Sequence, residues 1–168
     1  FRVDTQAVAE RLIQHPAIAQ ATVRAYYPDT VTIEVVEREP ASVWIAGDGS
    51  WLVDREGRVI GSGDQDGVPH VEVEGGLALQ PGGIVPRTVA QALPVVAERY
   101  GARLARLEYR SADGLVLVFT SGERIVLGDA ERLVEQLAVL DAILARPDAW
   151  LHLDLRDPDR PVLWKVSP

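Results

Sequence analysis

Two stretches near the amino terminus alternate apolar with polar residues. Across residues 19–25, alanine and valine alternate with Gln20, Thr22 and Arg24. Across residues 31–36, valine and isoleucine at every second position alternate with Thr32 and Glu34. Successive side chains of a strand point to opposite faces, so each stretch predicts a strand with one face on a core. Pro28-Asp29 lies between them and favours a turn. The pattern therefore predicts a hairpin.

A short amphipathic helix is predicted just before this hairpin, over Asp4 to Gln14. Asp4 or Thr5 can cap it, and His15-Pro16 ends it. Its apolar face is formed by Val8, Ala9, Leu12 and Ile13. One helix and two strands are too few to close a core. We therefore expect this module to be incomplete in the sequence or to pack against the next part of the chain.

The chain from Ala41 to Pro86 contains short apolar runs broken by glycine-rich turns. Val43–Ile45, Trp51–Val53 and Val59–Ile60 predict hairpins of small strands. Residues 61–67 and 75–86 are rich in glycine, and each predicts a mobile surface loop.

A helix and a meander are predicted next. Thr88 and Gln91 form a capping-box pattern, Gly101 is placed to end the helix, and Pro94 should kink or shorten it. Three strands separated by tight turns come after it, over Ala105–Tyr109, Leu115–Thr120 and Arg124–Leu127.

The strongest helical pattern comes after the meander. Gly128-Asp129 is expected to cap it, Arg146-Pro147 to close it, and its apolar positions are Leu133, Leu137, Leu140 and Leu144. A strand is predicted over Trp150–Arg156, with Leu151, Leu153 and Leu155 on one face. The chain ends on a strand predicted over Val162–Val166.

Composition narrows the class of protein. The 168 residues are 47% hydrophobic and 25% charged, as in ordinary globular proteins. A net charge of −8 argues against nucleic acid, which requires a basic patch. No apolar run approaches the roughly 20 residues of a membrane span. Because the sequence starts at Phe1 and lacks Met, we expect it to be part of a longer chain whose anchor lies upstream.

Catalytic chemistry finds little support in the sequence. Cysteine is absent, and His15, His70 and His152 lie far apart, so neither a thiolate nor a histidine-based triad is indicated. We expect no cofactor and no metal. Most carboxylates beside Gly or Pro are predicted to be solvated turn residues: Asp54, Glu56, Asp64, Asp66, Asp148, Asp157 and Asp159.

Four tryptophans are the side chains best suited to anchor a partner. Trp44 and Trp51 are predicted to lie in the core, whereas for Trp164 core packing and partner contact stay equally open. Trp164 belongs to the last predicted strand, where an unpaired sheet edge is expected, and such an edge can accept a partner strand.

Four motifs in order carry a family resemblance. They are P-x-I-x-x-A-x-V-x-x-x-x-P-x-T-V-x-I-x-V-V-E-R-x-P from Pro16 to Pro40, W-L-V-D-R-E-G-R-V-I from Trp51 to Ile60, I-V-L-G from Ile125 to Gly128, and L-D-L-R from Leu153 to Arg156. Together they resemble the extracytoplasmic region of the bacterial FtsQ/DivIB cell division proteins. The resemblance implies an α+β fold: a truncated POTRA module over residues 1–38, whose first strand and helix would precede Phe1, and a mostly antiparallel β domain with packed helices over residues 39–168.

The same resemblance implies that the protein is a non-enzymatic divisome scaffold on the outer side of the cytoplasmic membrane, anchored by one upstream helix at the septum. Its β domain would bind the small coiled-coil proteins FtsB/DivIC and FtsL by adding a strand beside its last strands. The residues that carry over by position are Arg110, Leu140, Asp157, Val162, Leu163 and Trp164. A POTRA edge ending at Val36, Glu37 and Arg38 would dock other septum proteins.

Two alternatives remain at this stage. A POTRA protein of secretion or outer-membrane assembly would carry tandem POTRA repeats, which the sequence lacks. A cell-wall hydrolase needs only two carboxylates at a set separation, so composition alone leaves it open. Turnover of peptidoglycan would distinguish a hydrolase from a scaffold.

Overall fold

The computed structural model describes residues 3–47, 49–146 and 149–165, which form two separate sheets and three helices. The helices are α1 (Thr5–Ile13), α2 (Arg87–Tyr100) and α3 (Leu133–Leu144). The strands are β1 (Ile18–Tyr26), β2 (Thr30–Glu37), β3 (Ser42–Ala46), β4 (Gly49–Val53), β5 (Val59–Ser62), β6 (His70–Glu74), β7 (Leu104–Arg110), β8 (Gly114–Phe119), β9 (Arg124–Gly128), β10 (Trp150–Asp154) and β11 (Val162–Lys165). The α+β fold class is confirmed.

The amino-terminal module consists of α1 and the β1–β2 hairpin. Asp4 caps α1 by accepting a hydrogen bond from the backbone N–H of Ala7, as the sequence predicts. The hairpin is antiparallel, and α1 packs on β1. The apolar side chains of β2 stay exposed, with Ile33 at 50%. The predicted hairpin is therefore confirmed, but the expectation that both strands bury one face is wrong for β2.

The second module is built on a nine-stranded sheet in the order β11-β10-β9-β8-β7-β6-β3-β4-β5. Five neighbouring pairs are antiparallel, and the pairs β3–β6, β6–β7 and β9–β10 are parallel. Parallel neighbours require a long crossover, which α2 supplies between β6 and β7 and α3 supplies between β9 and β10. The sheet is thus mixed but mostly antiparallel, as the resemblance implied.

One hydrophobic core joins α2 and α3 to a single face of this sheet. Its members include Leu93 of α2, Leu137 of α3 and Leu117 of β8. Trp44 is fully buried and Trp51 packs against the same core, which confirms the prediction for both tryptophans.

Gly101 caps the carboxyl end of α2 as predicted, but both predicted N-terminal helix caps in this module are wrong. The structure starts α2 at Arg87, after Pro86, so Thr88 lies inside the helix, and Pro94 does not prevent the helix from reaching Tyr100. The next helix, α3, starts only at Leu133. Between β9 and α3 the backbone passes through left-handed conformations, with φ of +68° at Gly128 and +57° at Ala130, so Asp129 lies in a turn ahead of the helix.

Three further expectations differ from the structure. Strand β6, which the sequence pattern did not predict, lies near the middle of the sheet between β3 and β7. The predicted loop at residues 61–67 begins inside β5, which continues to Ser62. In β10 a register shift after Trp150 leaves Leu151 53% exposed, whereas Leu153 is buried. Pro147, Asp148 and Val166 lie outside the described residues.

Candidate partner-binding edge

The last strand, β11, forms one edge of the nine-stranded sheet. It pairs antiparallel with β10, and in the part of the chain that the structure describes its other side has no neighbouring strand. An edge of this kind presents unpaired backbone N–H and C=O groups. The predicted open edge at the end of the chain is therefore present in the described fold.

The register shows which backbone groups of β11 face outward. Leu155 donates its N–H to Val126 of β9, so Leu155 and Leu153 turn their backbone groups toward β9, and His152 and Asp154 turn theirs toward β11. Those two residues lie opposite Trp164 and Val162 in the antiparallel ladder. By alternation, the N–H and C=O of Leu163 point away from the sheet.

The side chains of β11 divide between the two faces of the sheet. Leu163 packs against the core on the helix side. Val162 and Trp164 lie on the opposite face and are 48% and 50% exposed. Trp164 contacts His152 of β10, with the two ring centroids 4.7 Å apart in an edge-on arrangement. Trp164 is thus supported by a neighbour but remains available to a partner.

Ion pairs stabilise the turn that leads into β11. Arg132, just before α3, donates to Asp159 over 2.7 Å and lies 3.7 Å from Asp157. The Arg132 guanidinium lowers the pKa of Asp159 below its usual value through this hydrogen bond. Asp157 also accepts a bond from the backbone N–H of Asp159. Asp157 therefore lies in the turn that leads into β11 and helps to shape that turn.

Two of the carried-over residues do not reach this edge. Leu140 is completely buried in α3 and cannot form part of an exposed surface. Arg110 ends β7, four strands from β11, a distance of roughly 19 Å at the usual strand spacing of about 4.8 Å. Its guanidinium instead contacts Glu74 at 2.8 Å and Glu108 at 3.1 Å.

A buried carboxylate on the helix-free face was missed by sequence reasoning. Glu108 is fully buried and accepts hydrogen bonds from Arg106 at 2.7 Å and Arg124 at 2.9 Å. Burial by itself raises the pKa of Glu108, but the bonds from Arg106 and Arg124 outweigh it and hold the pKa below its usual value. The alternation of Arg106, Glu108 and Arg110 along β7 was the available signal.

The amino-terminal docking edge is only partly present as predicted. Val36 is 54% exposed and Glu37 is exposed, and within the described residues β2 pairs with β1 alone. Arg38 is different, because it is mostly buried in an ion pair with Asp54. Arg38 therefore does not belong to a free edge. Asp54, predicted to be a solvated turn residue, is buried at 2% exposure, which corrects that prediction.

The groups considered for catalysis stay apart in the fold. His15 and His70 are exposed and His152 is half-buried beside Trp164, each in a different part of the molecule. Across residues 3–47, 49–146 and 149–165, no three His, Asp or Glu side chains cluster in a way that could hold a metal ion. No helix in these same ranges is long and apolar enough to cross a membrane.

Comparison with known proteins decides the family. A model of the FtsQ-type POTRA domain matches residues 1–38, and a model of the carboxyl-terminal region of cell division protein FtsQ/DivIB matches residues 42–156. The chain belongs to the FtsQ/DivIB family. This result confirms the resemblance drawn from the four sequence motifs.

Individual relatives agree with the family models. The chain is 29% identical to cell division protein FtsQ of Mycobacteroides abscessus, in a match covering 97% of this chain and 51% of the relative. It is 31% identical to FtsQ of Mycolicibacterium smegmatis, over 97% of this chain and 48% of that protein. It is 30% identical to FtsQ of Chloroflexus aurantiacus, in a match covering 92% of this chain and 59% of that protein. The chain thus spans about half the length of the first two relatives.

Proposed function

We propose that this FtsQ/DivIB chain is a non-enzymatic scaffold of bacterial cell division that binds a partner polypeptide as an added strand along β11. The observation that carries the proposal is the edge itself. It offers outward-facing backbone groups at Leu163 and exposed apolar side chains at Val162 and Trp164. Main-chain hydrogen bonds supply affinity in strand addition, and the alternating side chains supply specificity.

The partners that fit this proposal are FtsB/DivIC and FtsL, the small coiled-coil septum proteins implied by the family resemblance. A strand laid on β11 would place alternate side chains beside Val162 and Trp164 on one face and beside Leu163 on the other. We therefore expect the bound segment to carry apolar residues at alternate positions. In the cell this chain would lie on the outer side of the cytoplasmic membrane at the septum, held by an upstream membrane helix, and other septum proteins would dock along Val36 and Glu37.

The first test changes the apolar face of the edge. Trp164→Asp should abolish capture of the cognate FtsB/DivIC extracytoplasmic domain, because a carboxylate would replace the exposed indole at the contact. Tyr26→Asp is the matched control, since Tyr26 is a 55% exposed aromatic on the other sheet. Its capture should equal that of the wild-type protein. If Trp164→Asp keeps its circular dichroism spectrum and still captures the partner, the proposed edge is wrong.

A second pair of variants tests the backbone bond directly. Leu163→Pro removes an N–H that faces away from β10, whereas Leu163→Ala removes the same packing but keeps that N–H. The proline variant should lose capture and the alanine variant should retain most of it. Equal capture by the two variants would show that this N–H takes no part in binding.

The absence of catalysis is tested with purified peptidoglycan. The wild-type chain should show no turnover. Turnover that disappears on replacing Asp54, Glu56 or Asp154 by Ala would establish a hydrolase instead of a scaffold.

A further inference from the structure

An ion pair between Arg38 and Asp54 connects the amino-terminal module to the large sheet. Arg38 directly follows β2, and Asp54 directly follows β4. Arg38 Nη1 lies 2.6 Å from Asp54 Oδ2. Among residues 3–47, 49–146 and 149–165, no other hydrogen bond or ion pair joins residues up to Arg38 to residues beyond it.

Each partner of this pair is fixed within its own module. The backbone N–H of Arg38 donates to the carbonyl of Ala17, just before β1, over 2.8 Å. Asp54 Oδ1 accepts the backbone N–H of Arg58 over 2.8 Å, which closes the turn between β4 and β5. The pair therefore joins two anchored backbones, so that it can transmit the position of one module to the other.

Burial makes this contact different from the surface ion pairs. The side chains of Arg38 and Asp54 are 16% and 3% exposed, compared with 54% and 60% for the Arg24–Glu34 pair within the hairpin. Solvent and salt screen a buried pair much less than an exposed one. The Arg38–Asp54 attraction should therefore persist at physiological ionic strength.

Apolar packing between the modules is interrupted beside the ion pair. A cleft of about 590 Å³ lies there, lined by Ala19 of β1 and by Pro69 and Pro94 of the second module. The two modules also approach each other at Pro16 and Gly82. The Cγ of Pro16 would lie 3.6 Å from a Cβ placed on Gly82. A small interface with a gap does not by itself hold two modules in one orientation.

We propose that Arg38–Asp54 is a latch that fixes the amino-terminal module relative to the large sheet. The latch joins Arg38, the residue after β2, to Asp54, the residue after β4. It sets the geometry between the open side of β2 and the β11 edge. Proteins bound at these two places would then be held at a defined distance from each other.

Distance measurement between spin labels tests the latch. The chain has no native cysteine, so labels attach only at introduced positions. Thr32→Cys on β2 and Glu98→Cys on α2 place exposed labels on the two modules. Double electron–electron resonance should give a narrow distance distribution for the wild-type background. Arg38→Gln and Asp54→Asn should each make it roughly twofold broader, since independent module motion is the default once a small interface is released.

Three comparisons make the result specific. Arg24→Gln removes the exposed hairpin pair and should leave the distribution unchanged. The distance distribution of the Arg38→Lys variant should stay narrow, because only Nη1 of the guanidinium contacts Asp54 and an ammonium group can replace one contact. A label pair at Glu98→Cys and Thr120→Cys, both in the second module, should be unaffected by every variant.

Two results would overturn the latch. The first is an unchanged distribution between the modules in a folded Asp54→Asn variant, which keeps an acceptor for Arg58 but loses the charge. The second is equal broadening within the second module, which would mean that the substitutions loosen the whole fold.

Discussion

Replacing Glu108 by Gln should destabilise the large sheet by a predictable amount. The buried Glu108 carboxylate has contacts with three arginines, at 2.7 Å to Arg106, 2.9 Å to Arg124 and 3.1 Å to Arg110. Gln has nearly the same shape and keeps one acceptor oxygen, so the change removes charge with little effect on packing. The variant leaves three guanidinium groups around a neutral side chain.

The size of the effect depends on burial and on the remaining partners. Breaking a fully buried ion pair costs about 3–5 kcal/mol. Here the arginine side chains are 30–45% exposed, and Glu72 and Glu74 still contact Arg106 and Arg110. Solvent therefore screens part of the loss. We expect Glu108→Gln to lower the free energy of unfolding by about 2–3 kcal/mol at neutral pH.

Urea denaturation at several pH values measures this loss. Because the folded pKa of Glu108 is depressed, its charge stabilises the native state above the unfolded pKa of about 4.3, and this stabilisation is lost as the pH falls through the folded value. The difference in free energy of unfolding between the wild-type and variant proteins should therefore become smaller below about pH 4. A difference in free energy of unfolding under about 0.5 kcal/mol at pH 7, or one that does not change with pH, would contradict this role of the Glu108 charge.

Two further predictions concern single positions. Gly57→Ala should lower the free energy of unfolding in urea by about 1–3 kcal/mol, because φ is +82° and the new Cβ would lie 2.5 Å from the Val85 carbonyl oxygen. Gly61→Ala is the control and should be nearly neutral, since open space surrounds that position. Equal effects of the two substitutions would contradict this prediction. Burial raises the pKa of Asp141, but a hydrogen bond from Tyr100 helps to outweigh it and the pKa is lowered. The stability difference between wild type and Asp141→Asn should therefore diminish as the pH falls below about 4, and a constant difference would contradict it.

Local patterns predicted most of the elements because alternation and turn residues act over short distances. The hairpin of β1 and β2 and the meander of β7, β8 and β9 arise from period-two patterns separated by turn residues such as Pro28 and Gly114. The short strand β6 was missed although Val71 and Val73 alternate with polar residues. Its place depends on pairing with β3 and β7, which are distant in sequence, and on glycine-rich flanks that favour a loop interpretation.

Helix starts were predicted less well because competing local geometry decides them. Thr88 matches a capping box, yet the helix begins two residues earlier than that box implies, with Pro86 at its N-terminal cap. Gly128 adopts a left-handed conformation where β9 ends, and this moves the start of α3 away from Asp129.

The candidate site was predictable only in part. The sequence indicated an apolar last strand with Val162 and Trp164, but its position at the sheet edge depends on the order of all nine strands. Leu140 could not be recognised as fully buried, because both the core and a partner favour leucine on α3. The ion pair of Arg38 with Asp54 likewise arises where the ends of β2 and β4 meet, which no local pattern reveals.

Hydrogen exchange at the Leu163 amide tests strand addition most directly. In the free chain this N–H faces away from β10 and should exchange rapidly, whereas the Trp164 N–H, which faces β10, should exchange slowly. Saturating FtsB/DivIC extracytoplasmic domain should slow exchange at Leu163 by at least about tenfold and leave Trp164 slow. Rapid exchange at Leu163 in the saturated complex would contradict the account.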